Sequence, residues 1–244
     1  MSGHSKWHNI QKTKGAQDAK RAQAFTKIAR EMIVAVKEGG GDPNNNSRLA
    51  SVIAKAKAAN MPNDNIKRTI DKALGAGDTS NYESITYEGY GPAGIAVMVS
   101  ALSDNRNRTA ADVRHVFSKY GGNMGATGCV GYMFQEKGIF VISKETGVEE
   151  DDLMMIALEA GAEDIKVEEE CFEVVTDPAA FDDVEKALAD NNIEVEVSEI
   201  TMVPDTMTEL SGDDAVKMQK MLDAFEDLDD VQDVYHNADL PEEE

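Results

Sequence analysis

Gly138-Ile-Phe-Val-Ile-Ser143, Glu163-Asp-Ile-Lys-Val167 and Cys171-Phe-Glu-Val-Val-Thr176 read as three short strands. Helical spacing of apolar residues marks 149–160 between the first two and 179–189 after the third, and 193–201 reads as a closing strand. That order, β-α-β-β-α-β, is the ferredoxin-like arrangement. The acids Glu149, Glu150, Asp151 and Asp152 stand at a helix start, where the helix dipole favours them.

On either side of this segment the pattern is incomplete. Residues 84–90 alternate like a strand, Gly94-Ile-Ala-Val-Met-Val-Ser-Ala-Leu102 is a buried-strand run, and 103–108 makes a polar turn. A helix follows, marked by Ala110, Val113, Val116, Phe117 and Tyr120, then a glycine-rich loop over 121–128 and a strand over 129–134. A helix over 212–227, with Ala215, Met218, Leu222 and Phe225 inside, and a strand near 231–235 come after it. They lack a domain of their own. The economical reading is an acidic ferredoxin-like domain, 136–205, inserted into a central α+β domain made of 79–135 plus 206–240.

The first 78 residues read as a basic arm and a helical domain. Ala22, Phe25, Ile28, Ala29, Met32, Ile33 and Val36 form a helix stripe, with Lys20, Lys27 and Arg30 on the opposite side, and Gly39-Gly40-Gly41 ends that helix. A second helix fits 47–60, with Arg48, Lys55 and Lys57 outward. A third begins after Pro62, with Asn63 as N-cap. Residues 2–16 lack periodicity and read as a mobile arm. The fold class is therefore α+β and multidomain.

Charge divides along the same lines. Residues 1–76 carry 14 Lys+Arg against 6 Asp+Glu, while 136–244 carry 6 against 35, so a chain of net charge −22 begins with a cationic head. Such asymmetry points to a polyanion partner for the basic end. Two cysteines make no disulfide framework and suit a reducing compartment. The start Met-Ser-Gly-His-Ser-Lys has no apolar run behind it, and no stretch approaches 18 apolar residues. A cytoplasmic protein without membrane association is expected. Four histidines without H-E-x-x-H or C-x-x-C spacing signal no metal site. The glycine loop lacks a Gly-Lys-Ser/Thr ending. No catalytic role and no cofactor are expected.

The arm is the strongest candidate for binding. Lys6, Lys12, Lys14, Lys20 and Arg21 supply charge that displaces counterions from phosphates. Among them Trp7, the one tryptophan, can stack on an unpaired base, beside the hydrogen-bonding group of His8. The alternative is a basic tail whose Trp7 packs back on the helices. Lys27, Arg30, Lys55 and Lys57 extend the cationic set. Arg106 and Arg108 stand where a strand meets a helix N-terminus that could hold an anion. The bland reading there is that Asn107 caps the helix and the arginines are solvated. The loop 121–128 either approaches a partner closely or is an ordinary long turn. The acidic domain is a solvated surface or a docking face for a basic protein.

Gly3-His4-Ser5-Lys6-Trp7, Ala16-Gln17-Asp18-Ala19-Lys20-Arg21, Tyr87-Glu88-Gly89-Tyr90-Gly91-Pro92, Ser103-Asp104-Asn105-Arg106-Asn107-Arg108-Thr109 and Val231-Gln232-Asp233-Val234-Tyr235-His236-Asn237 together resemble the YebC/PmpR family. The resemblance runs from residue 2 to about 238. It implies three domains and a cytoplasmic bacterial protein described as a transcriptional regulator that binds DNA. Some relatives resemble translation factors, among them a mitochondrial translational activator, and act on the ribosome at proline runs. DNA and ribosomal RNA therefore both stand as expected partners.

Overall fold

A computed structural model describes residues 18–75 and 81–241, with side chains from residue 21 onward. The expected mobile arm, with Lys6, Trp7, His8, Lys12 and Lys14, lies outside the described residues, as does the side chain of Lys20. The described chain forms two compact units, one of residues 18–129 and 211–234, the other of 130–210 and 235–241.

In the first unit, three helices, α1 (Asp18–Gly39), α2 (Ser47–Ala58) and α3 (Asn63–Leu74), bury one core of Ile28, Met32, Val36, Leu49, Val52, Ala56 and Ile66. Gly40 takes φ +84° just past α1, as a helix terminus of this kind requires. Buried Asn46 joins the first two helices. Its Oδ1 accepts from the Leu49 N–H (3.0 Å), and its Nδ2 donates to the Ala35 and Gly40 carbonyls (2.8 Å each). One side chain thus caps α2 and satisfies the last turn of α1. Asn46→Ala is expected to lower stability by about 2–4 kcal/mol, from a lost cap and two abandoned carbonyls, read as a fall in the urea midpoint at constant slope. Asn63, expected as the cap of α3, is its first residue. Pro62 holds the cap position and α3 has no side-chain cap.

This unit also holds most of a sheet of strand order β3-β1-β2-β9, with β1 Glu83–Tyr90, β2 Ala96–Ser103, β3 Asn123–Met124 and β9 Val231–His236, of which residues 231–234 belong to this unit. The helix α4 (Arg106–Lys119) starts two residues earlier than a cap at Asn107 would place it, because Asn105 caps it: Asn105 Oδ1 accepts from the Arg108 N–H at 3.1 Å. The expected polar turn is therefore largely the first turn of a helix. Phe117 of α4 meets Phe225 of α7 (Gly212–Glu226) edge to face at 5.0 Å.

In the second unit, β4 (Phe134–Ser143), α5 (Glu150–Glu159), β5 (Ala162–Val167), β6 (Cys171–Thr176), α6 (Phe181–Asp190) and β7 (Val197–Pro204) follow in the expected order. The sheet runs β5-β6-β4-β7 with every neighbouring pair antiparallel. Its helix side buries Phe140, Ile142, Leu153, Ala157, Phe172, Val174, Val184 and Leu188. Two short strands, β8 (Thr208–Glu209) and β10 (Ala238–Asp239), pair in parallel.

Two strand expectations are corrected. The strand expected at 129–134 does not form: Gly131–Met133 is a 3-10 turn, and only Phe134 joins β4, which runs on through 138–143. Gly138 does not begin the strand. It lies inside it, where a Cβ would come within 2.6 Å of the Phe181 ring and 2.5 Å of Thr176. The strand placed at 193–201 begins only at Val197, because Ile193 and Val195 turn into the helix-side core instead.

Beside β10, His236 is buried, and its Nδ1 accepts from the Ala238 N–H at 3.2 Å. Burial holds its pKa down to about 3, from an ordinary value of 6.5. Well above pH 6.5 it is neutral folded and unfolded, and contributes no pH dependence. Below pH 6.5 the unfolded chain takes up a proton that the folded chain refuses, so stability falls, by about 2 kcal/mol at pH 5. His236→Asn, which keeps an acceptor, is expected to remove that share of the decline between pH 7 and 5 in paired denaturation series.

Candidate nucleic-acid interface

The cations singled out as nucleic-acid contacts divide into two sets. The engaged set converges on Asp230, buried just before β9. Its Oδ1 accepts from Arg30 (2.5 Å), and its Oδ2 accepts from Arg108 Nη2 (2.7 Å) and the Thr109 hydroxyl (2.7 Å). Burial opposes the charged form, but the hydrogen bonds from Arg108, Thr109 and Arg30 prevail and hold the Asp230 carboxyl below its usual range. Arg108 also pairs with Asp104 at 2.7 Å.

Lys27 Nζ donates to the Glu226 carbonyl (2.6 Å), Gln23 Nε2 to the Glu226 and Asp227 carbonyls (3.2 and 2.9 Å), and Arg30 Nη1 to the Asp229 carbonyl (2.9 Å). The Glu226 and Asp227 carbonyls close the C-terminus of α7, where helix carbonyls lack partners and the dipole favours cations, and the Asp229 carbonyl lies in the turn just beyond it. Residues 23, 27 and 30 share one helix face. The face of α1 expected to be free for phosphates is in part the cap of another helix. Burial lowers the Lys27 pKa, against the raising influence of Glu226 and other nearby carboxylates.

On α2, Lys55 pairs with Glu31 at 2.8 Å and Arg48 with Glu38. The second set has no ion pair among the described residues. It comprises Arg21 and Lys57, which the sequence singled out, with Lys67, Arg68 and Lys72 on α3, all exposed. Arg106 and Arg114 on α4 share this state. Both act on the Tyr87 phenol: burial raises its pKa, and the two guanidinium groups oppose the rise. Sequence reasoning missed Lys67, Arg68, Lys72 and Arg114. Their helical spacing from buried Ile66, Val113 and Phe117 would have placed them outside. His115 is exposed on α4.

The glycine loop makes its close approach within its own unit. A Cβ on Gly122 would lie 2.3 Å from the Tyr90 carbonyl oxygen, and one on Gly125 would lie 2.7 Å from Cys129 Sγ. The Gly125 N–H donates to the Glu88 carbonyl (2.9 Å) and the Gly128 N–H to the Glu88 carboxylate (2.8 Å). The loop also contains β3, which pairs with Gly89 and Tyr90. The exposed residues of the loop include Asn123, Ala126 and Thr127.

Among the described residues no cluster of His, Cys, Asp or Glu could hold a metal ion, and no helix is long and apolar enough to cross a membrane.

Comparison with known proteins places this geometry in context. A family model described as TACO1/YebC second and third domain matches residues 82–238, and one described as TACO1/YebC protein N-terminal domain matches residues 5–76. A Clostridium botulinum protein named "Probable transcriptional regulatory protein" is 59% identical over 242 residues, 99% of this chain and 98% of the relative. A Geobacillus protein with the same designation is 56% identical over 240 residues, 98% of each chain. The crystal structure of a conserved hypothetical protein from Aquifex aeolicus superposes with a TM-score of 0.82 at 44% identity, covering 93% of both chains.

Proposed function

The chain belongs to the YebC family, and from that premise we propose that it is a nucleic-acid-binding regulatory protein that contacts DNA through its basic N-terminal region. The observation that carries the reading is the partition of cations. Arg21, Lys57, Lys67, Arg68 and Lys72 stand exposed without ion pairs among the described residues, on a segment whose first 76 residues hold an excess of eight positive charges. In the sequence, Lys6, Lys12, Lys14 and Lys20 add to this charge, and Trp7 and His8 supply stacking and hydrogen-bonding groups for unpaired bases. Arg106 makes a second contact. Arg30 and Arg108 support the interface from within by fixing α1 and α4 about Asp230. The three-part division, with 136–205 as an inserted acidic module, keeps negative charge in a segment separate from the basic head.

A second reading, a ribosome-associated translation factor gripping ribosomal RNA, is favoured by one observation. The exposed faces of α2 and α3 present Asn63 as their one amide beside Lys57, Lys67, Arg68 and Lys72, a poor set for reading base edges. Crosslinking in cells followed by sequencing of bound DNA and bound RNA tests the choice. Enrichment at discrete promoters, with retention on that fragment over scrambled competitor, supports the regulator. Enrichment of ribosomal RNA, with co-sedimentation on the large subunit, supports the factor. Recovery of neither sinks both.

A further inference from the structure

The helix α5 is apolar on two sides. Leu153 and Ala157 are buried against the sheet, as an amphipathic helix requires. On the opposite side, where polar residues belong, stand Met154 (37% exposed), Met155 (65%) and Leu158 (45%). At 100° per residue these three fall within an arc of about 100°, centred well away from the buried pair. Exposed carboxylates bound the arc: Glu150 on one edge, Asp152 and Glu159 on the other, and Asp151 in line at the first turn. None of the four makes an ion pair among the described residues. The dipole accounts for the first-turn acids. It does not account for the methionines, which add exposed apolar area to the helix.

We propose that this face of α5 docks a cationic amphipathic helix of a partner protein. The occupant follows from charge. Residues 130–210 carry 23 Asp+Glu against 4 Lys, so an acidic helix would meet repulsion and a neutral one would gain no charge attraction, whereas Lys or Arg flanking an apolar stripe meets Glu150 on one side and Asp152 and Glu159 on the other. Methionine suits such a surface because its unbranched, polarisable chain adapts to different apolar partners. The face lies wholly within the second unit and uses none of the cations assigned to nucleic acid.

The test uses the full chain labelled at methionine methyls, which gives 12 probes, titrated with a synthetic 18-residue Leu/Lys amphipathic helix. The same composition in scrambled order serves as control. Shifts concentrated at Met154 and Met155, with buried Met32, Met218 and Met221 unmoved, are expected. Met155→Ser with Leu158→Ser should weaken binding at least about tenfold. Val216→Ser, which removes an exposed apolar residue of the other unit, should leave it unchanged. Equal binding of the scrambled peptide would show charge attraction alone and overturn the proposal, as would a double variant that binds within twofold of the parent or methyl shifts lying elsewhere.

Discussion

Asp230→Ala is expected to lower the stability of the first unit by about 3–5 kcal/mol, the usual consequence of removing one member of a buried charge set. The carboxylate is the common acceptor for Arg30, Arg108 and Thr109. Without it the Arg30 side chain, 16% exposed, keeps its charge with no carboxylate partner. Arg108, about half exposed and still beside Asp104, can turn to water, so Arg108→Ala should cost much less, on the order of 1 kcal/mol. The Asp230/Arg108 double variant should then fall short of additivity, since the two share one contact. Urea unfolding of the four proteins measures this. The acid side follows from the same geometry. The Asp230 carboxyl sits below its usual range, so its contribution is present near neutrality and is lost as pH falls through that lowered value.

The second large effect concerns affinity. Lys12→Glu with Lys14→Glu is expected to weaken binding to duplex DNA about 60-fold at 0.1 M salt, since each lost phosphate contact forfeits about 0.9 decades there. Arg108→Gln should weaken binding by no more than a few fold while lowering stability, because that guanidinium serves Asp230 and Asp104. Fluorescence anisotropy with a labelled duplex separates the two. Comparable losses from both variants would erase the division between engaged and available cations.

That division also shows how far the sequence could be read. The α1 stripe of Ile28, Met32 and Val36 was legible because helical periodicity is a local property, and the order of the β-α-β-β-α-β segment was legible for the same reason. The partners of Lys27 and Arg30 were not, since their acceptors lie about 200 residues away in sequence. Charge counting treats every lysine and arginine alike, and only tertiary structure separates those capping α7 from those facing water. The glycine loop was open between two readings for the same reason. Glycines at 122 and 125 fit a close approach, but what they approach is β1 and Cys129. Gly138 looked like a boundary because the Phe181 ring that demands it comes from a helix more than 40 residues on. The cap of α4 was misplaced by two residues because Asn105 and Asn107 are equivalent by composition and differ only in backbone conformation.

The central claim, that the basic N-terminal region binds phosphates by charge, is tested most directly by the salt dependence of binding of the intact chain to duplex DNA. With about five phosphates engaged, a plot of log K against log salt concentration should fall with a slope near −4.5. A slope near zero would contradict it.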